Sequence, residues 1–344
     1  MSGRLGRKMM GREQANGLDL RVQLGALELP NPIVAASGTF GHGDELAGLC
    51  DPSRLGAVTT KSQAAFAWSG NPAPRLHPAA AGMVNAVGLQ GHGVEDWIAH
   101  DLPALRSTGA RVIASLWGRS VAEYATAATL LAPALGELVA VEVNLSCPNL
   151  EHGDGSRVPT FSHDPQAAAL VLQAVCTALA TAHASDPARA VPMPVPVFAK
   201  LSPGVSGLVE VAAAAVDAGA TGLTLVNTMP AFIVDAGARR PALGSSGGGL
   251  SGPALKPIAL RAVHDVSRAL PGVPIIGTGG VSTGTDAVEM LLAGASAVGV
   301  GTATFVEPRA TLRILDELAS WCVRQGIERV SELTAALLPP KGSS

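Results

Sequence analysis

The sequence predicts an α/β fold of the (β/α)8 barrel type, a single domain with inserted loops, and three observations carry that expectation. Eight short runs of β-branched and apolar residues recur from about Leu24 onward, each followed by a loop or by a stretch of helical period. Parallel strands need crossover helices, and eight of them close into a ring whose interior side chains can fill. The third observation weighs against a doubly wound open sheet: Ser37-Gly38-Thr39-Phe40-Gly41, after the first run, lacks the G-x-G-x-x-G spacing, and Gly277-Thr278-Gly279-Gly280 follows the seventh run instead.

Taken in order, the strand expectations cover residues 33–36, 57–61, 112–116, 139–144, 197–201, 223–227, 275–279 and 297–301. The clearest helical stretches are 94–105, 121–135, 165–184, 207–218, 253–270 and 283–293, with Gly219, Gly272 and Gly294 standing where helices should stop. Residues 18–338 read as the barrel. Residues 1–17 carry Arg4, Arg7, Lys8 and Arg12 without the apolar run of a signal peptide and read as a leader or flexible N-terminus, and 339–344 as a flexible C-terminus.

Composition narrows the functions. The 344 residues are 47% hydrophobic and 15% charged, enough for one large core. A net charge of -3 and an aromatic content of 3% argue against nucleic acid as a ligand, since neither bulk positive charge nor stacking rings are on offer. No uninterrupted apolar run approaches the roughly 20 residues of a membrane span, so a membrane partner is not expected. Cys50, Cys147, Cys176 and Cys322 are scattered, with no metal-ligand spacing, which fits a reducing cytoplasm and no bound metal.

Barrel active sites are built at the C-terminal ends of the strands, and reactive residue types gather there. Lys61 ends the second run, Asn144, Ser146 and Cys147 the fourth, Lys200 the fifth, Asn227 and Thr228 the sixth. Gly277-Thr278-Gly279-Gly280 and Gly299-Val300-Gly301-Thr302 fall in the two loops that commonly bind phosphate in barrels, where bare N–H groups approach an anion. One such loop would read as a tight turn; two adjacent ones imply a phosphate-bearing ligand. Two lysines at the mouth need an anion or a carboxylate partner, and a flavin that gains negative charge on reduction would use one of them. Carboxamides from Asn85, Asn144, Asn149 and Asn227 can read the alternating C=O and N–H edge of a pyrimidine-dione. Cys147, beside a serine at a strand end, suits a thiolate nucleophile or a general base. The other three cysteines read as inert, buried thiols. A cysteine hydrolase would need an activating histidine, and neither His152 nor His163 is fixed by a partner pattern. His42, His77, His92 and His100 read as surface or supporting residues.

Asn144-Leu145-Ser146-Cys147-Pro148-Asn149, Gly70-Asn71-Pro72-Ala73-Pro74-Arg75 and Asn85-Ala86-Val87-Gly88-Leu89-Gln90 resemble the class 1 dihydroorotate dehydrogenases. The resemblance continues through Gly248-Gly249-Leu250-Ser251-Gly252-Pro253 and the segment 294–302, and the stretches 85–90 and 250–257 look most like the catalytic subunit of the NAD-linked, class 1B branch. It implies an FMN-binding (β/α)8 barrel with active-site loops that oxidises (S)-dihydroorotate to orotate in pyrimidine biosynthesis. Cys147 would then remove a proton from C5 while hydride passes from C6 to flavin N5. Lys61, Asn85, Ala86, Val87, Gly88, Leu89, Asn144, Asn227 and Thr228 match substrate positions. Ser37, Lys61, Ser62, Ser115, Asn144, Lys200, Val226, Gly252, Gly279, Gly280, Gly301 and Thr302 match FMN positions. The resemblance also implies a homodimer, or a heterotetramer with an electron-transfer subunit that carries FAD and a 2Fe-2S cluster and passes electrons to NAD.

Three departures stand out. Ser115 replaces a frequent flavin-contacting Asn, Ile233 replaces an Arg after the sixth strand, and the segment 151–163, with His152, Asp154, Arg157 and His163, is longer than usual and reads as a lid. Alternatives left open are a fumarate-using homodimer, a related flavin enzyme acting on neutral dihydropyrimidines, and a barrel that only stores flavin or binds phosphate.

Overall fold

The computed structural model describes residues 17–146, 160–184 and 195–339. Eight parallel strands close into a barrel: β1 (Ile33–Ala35), β2 (Ala57–Thr59), β3 (Val112–Leu116), β4 (Ala140–Asn144), β5 (Val197–Leu201), β6 (Gly222–Leu225), β7 (Ile275–Thr278) and β8 (Ala297–Val300). Each lies beside its neighbours in sequence, and β8 closes on β1 with Val298 opposite Ile33. All eight expected strands are present, shortened by one or two residues at several ends, with β6 beginning one residue early. Strands buried on both faces read as continuous apolar runs, which is why the sequence shows them so plainly.

Around the barrel run α1 (Val94–Ser107), α2 (Val121–Leu131), α3 (Pro165–Ala184), α4 (Leu208–Asp217), α5 (Lys256–Ala269), α6 (Gly284–Ala293), a short α7 (Ala303–Val306) and α8 (Ala310–Gln325). Ser120 caps α2 by accepting from the Glu123 N–H at 3.2 Å, and Thr283 with Asp286 forms a reciprocal capping box on α6. The helix ends fall within two residues of expectation except in two cases. The second gives way to a 3-10 segment at Ala132–Glu137, where Pro133 cannot donate to the helix, and the fifth is preceded by a 3-10 turn at Pro253–Leu255. Gly219, Gly272 and Gly294 do follow α4, α5 and α6, each with positive φ.

The helix α3 is long and apolar enough to cross a membrane by composition alone. Here its stripe of Ala168, Val171, Leu172, Val175 and Leu179 is buried, and the helix packs against α2 and α4. Inside the barrel the layers are tight: a Cβ on Gly222 would fall 2.4 Å from the Phe198 ring, so glycine on β6 makes room for the aromatic of β5. An antiparallel hairpin, Val22–Leu24 with Leu27–Leu29, lies at the N-terminal end, its Gly25 against Pro274 just before β7.

At the opposite end two inserted loops meet in an antiparallel sheet that the sequence did not announce. Leu76–Ala79 and Gly82–Asn85, from the connection after β2, join Met229–Ala231 and Gly248–Ser251, from the connection after β6. Asn85 lies opposite Gly249 across 164 residues of sequence and donates to its carbonyl at 3.3 Å. Beneath this sheet Val84, Ala86 and Leu243 form a small second core against which Ile233 packs. The departure at Ile233 thus replaces a charge by a core contact.

Candidate active site

At the C-terminal mouth of the barrel, beside the inserted sheet, lies a cavity of about 1080 Å³ including the space open to solvent. This is where the fold places active sites and a size suited to a small-molecule ligand. Of the expected site residues, Ser37, Lys61, Ser62, Asn85, Val87, Gly88, Leu89, Asn144, Lys200, Val226, Asn227, Thr228, Gly252, Gly279, Gly280, Gly301 and Thr302 all line it. Ala86 and Ser115 do not. Ala86 points into the second core, as strand alternation past Asn85 requires, and Ser115 lies one layer below the cavity on β3. Cys147 lies outside the described residues, as do Asn149, His152, Asp154 and Arg157. Ser146, immediately before Cys147, is buried and hydrogen-bonded.

One wall is a network of side chains. Ser37 Oγ donates to the Thr60 carbonyl at 2.8 Å. Ser62 Oγ is 2.8 Å from Ser115 Oγ and accepts from Asn144 Nδ2 at 3.1 Å. Asn144 Oδ1 accepts from the Ser146 N–H at 3.3 Å and from Ser146 Oγ at 3.1 Å. The Ser146 carbonyl and hydroxyl in turn accept from Asn227 Nδ2, each at 3.0 Å. A backbone N–H can only donate and a carbonyl only accept, so both amides have one orientation. Among the described residues Asn144 keeps an N–H for the cavity and Asn227 keeps its oxygen. Tyr124 Oη, donating to the Asn144 carbonyl at 2.6 Å, holds β4 to α2 from behind.

Of the two mouth lysines, Lys200 takes the carboxylate partner that the sequence allowed for. Its Nζ is 3.7 Å from Glu142 Oε1, with both side chains almost fully buried. Lys61 lies against Gly38 on the cavity wall.

The other wall is backbone. Among the described residues the half-buried N–H groups of Gly279, Gly280, Gly301 and Thr302 donate to no acceptor. Gly280 has φ +75, and a Cβ there would lie 2.6 Å from the Lys256 backbone nitrogen, so no other residue fits without movement. A cluster of such donors beside a deep cleft is a place for an anion. These residues therefore fit a phosphate-bearing ligand, and the amide wall lines the same cavity. The carboxyl of Asp286 ties this wall down, accepting from the Ser282 and Thr283 N–H groups at 2.8 Å and from Lys256 Nζ at 2.6 Å.

Residues 19–321 match the dihydroorotate dehydrogenase family. The chain belongs to that family. Similar curated proteins include the dihydroorotate dehydrogenase B (NAD(+)) catalytic subunits of Geobacter metallireducens and Geobacter sulfurreducens, each 42% identical over 93% of this chain and 98% of the relative. A Solibacter usitatus protein, with the provisional name dihydroorotate dehydrogenase A (fumarate), is 43% identical over 90% of this chain and 96% of its own length. Membership makes the chain an oxidoreductase, and the closed barrel agrees with the fold the family resemblance implies. Of the three thiols expected to be buried, Cys50 and Cys322 are, whereas Cys176 is only partly covered and donates to the Gly219 carbonyl at 3.5 Å; burial raises the thiols of Cys50 and Cys176 and pushes Cys322 up to about 11. Among the described residues no group of three or more His, Cys, Asp or Glu is placed to hold a metal ion.

Sequence reasoning missed Glu142, Gly38, Thr39 and Ser251, the last three on the cavity wall. Glu142 was signalled by an acidic residue inside an apolar strand, two positions before Asn144 and so on the same face. The others flank residues already named in the same turns.

Proposed function

We propose that the chain binds FMN and oxidises (S)-dihydroorotate to orotate. The observation that carries this reading is the pairing of the two walls: unsatisfied glycine amides on one side, and on the other an amide pair with one free donor and one free acceptor beside Lys61. The Gly279, Gly280, Gly301 and Thr302 amides hold the cofactor phosphate. Ser37, Ser62, Asn144, Lys200, Val226 and Gly252 surround its ring system. When bound, FMN supplies the two-electron acceptor. Lys61 pairs with the substrate carboxylate, while the Asn144 N–H and the Asn227 oxygen read the alternating ring edge, with Asn85, Thr228 and the 86–89 segment completing the rim. Cys147 is assigned as the base from the family resemblance, and the Asn227 bonds to Ser146 fix the chain just before it.

The names of the Geobacter relatives, catalytic subunits of an NAD(+) enzyme, support NAD as the final oxidant reached through a partner subunit; FAD and 2Fe-2S on that partner follow from the family resemblance, and a cytoplasmic location fits the same reading. The Solibacter relative favours fumarate as the second reading. Anaerobic mixing of the FMN-loaded chain with dihydroorotate tests the first step: the flavin absorbance should bleach, and an unchanged spectrum would leave only a flavin-binding barrel. Reoxidation by fumarate without a partner would select the second acceptor. Lys61→Ala should damage turnover of dihydroorotate far more than of dihydrouracil; equal losses would exclude a carboxylate-bearing substrate.

A further inference from the structure

Glu142 lies beneath the floor of this cavity, 2% exposed, and nothing in the reaction above uses it. Strand geometry puts it there. Asn144, on the same face two residues on, reaches the cavity, while Glu142 lies level with Ser115 of β3 in the layer below. Its Oε1 accepts from Ser115 Oγ at 3.2 Å and stands 3.7 Å from Lys200 Nζ. Among the described residues it is the one carboxylate within ion-pair distance of that lysine.

The protons in this chain of hydroxyls can be counted. An ionised carboxylate only accepts, so the Ser115 hydroxyl points down to Glu142. Ser115 oxygen is then free to accept from Ser62, 2.8 Å away, and Ser62 oxygen accepts from Asn144 Nδ2. The Ser37 hydroxyl is spent on the Thr60 carbonyl and cannot donate to Ser62, and the Ser62 proton goes to the shorter contact, Ser115 at 2.8 Å, rather than to Ser37 at 3.3 Å. Every bond from Asn144 downward therefore runs toward one buried anion.

We propose that Glu142 is a positioning residue for the cofactor site: it is the counter-ion that seats Lys200 and offsets its charge, and the terminal acceptor that orients the hydroxyl chain up to Asn144. The inference rests on the FMN reading. A flavin gains negative charge on reduction, which Lys200 at the cavity wall favours and Glu142 beneath it opposes. Removing the carboxylate alone leaves an uncompensated positive charge facing the ring.

The test is the midpoint potential of FMN bound to the intact chain. Glu142→Gln should favour the reduced form by about tenfold, roughly a 30 mV rise for a two-electron couple, whereas Glu142→Asp should stay close to the parent. A folded, flavin-loaded Glu142→Gln protein with the parent potential overturns the proposal. Should that variant not fold, the double variant Glu142→Gln/Lys200→Met buries no unpaired charge and should shift the potential the other way, because Lys200 is the nearer group; the parent potential in it also overturns the proposal. A parent chain that takes up no FMN overturns the cofactor reading and this inference together, whereas an unmoved potential in a loaded variant defeats the inference alone.

Discussion

The two walls of the cavity hold their ligand-facing groups by opposite means. On the side built from β1 to β5, Ser37, Ser62, Asn144 and Lys200 are side chains already bonded to one another or to a buried partner. On the side built from β7 and β8 the available groups are backbone N–H donors, three of the four on glycines without a side chain to cover them. The first wall is preorganised by coupling, so each member depends on the next, and a half-satisfied buried network is costly. The second is preorganised by exclusion, so its members are nearly independent, and the threat to each is an added atom.

The largest expected effect lies in the coupled wall. Lys200→Met strands the Glu142 carboxylate in the barrel interior without its counter-ion, and breaking a buried pair from one side costs about 3–5 kcal/mol. Urea unfolding of the cofactor-free chain should show that loss, and adding Glu142→Gln should recover most of it. A loss below about 1 kcal/mol, in the range of exposed pairs, would show that the pair is wet and the two walls are more alike than their burial indicates.

The glycine wall should fail differently. Gly280→Ala places a Cβ 2.6 Å from the Lys256 nitrogen in a left-handed backbone conformation, which costs roughly 1–2 kcal/mol before any steric shift. Because the strain sits in the phosphate loop, it should appear as FMN binding weakened by about tenfold or more, with a smaller change in urea midpoint than Lys200→Met gives. A change in stability with full FMN affinity would mean that these amides do not hold the phosphate.

The same contrast governs what could be read in advance. The barrel strands announced themselves through continuous apolar runs, and Lys61, Asn144, Lys200 and Asn227 through polar types at the ends of those runs. The glycine wall was legible as absence, two Gly-rich turns in adjacent connections. The inserted sheet was hidden for physical reasons: Pro78 and Pro230 interrupt its strands, Gly248 and Gly249 weaken a third, and its pairing joins Asn85 to Gly249 with no local pattern to show it. The helix α8 escaped because charged residues from Arg313 to Arg324 interleave with its buried Ile314, Leu315 and Leu318. Ser115 was placed in the flavin layer by its position in the family pattern, but it bonds Glu142 one layer down, where a longer Asn would have reached further.

The smallest effect probes a place where charge supports the glycine wall. Burial pushes the Asp286 carboxyl up, yet the hydrogen bonds from Lys256, Ser282 and Thr283 outweigh it and hold the group below its usual value. A carboxyl lowered in the folded state stabilises the fold above its unfolded value of about 3.9, and that contribution disappears as pH falls through the folded value. Asp286→Asn keeps an acceptor for the loop N–H groups but gives up the charge facing Lys256. It should therefore cost only about 1 kcal/mol near neutrality, and urea midpoints of variant and parent should converge as pH drops below about 4. Convergence would place the charge itself in the support of the loop. A gap that persists undiminished in acid would instead assign that support to the geometry of the capping box, making the glycine wall indifferent to charge in front and behind alike.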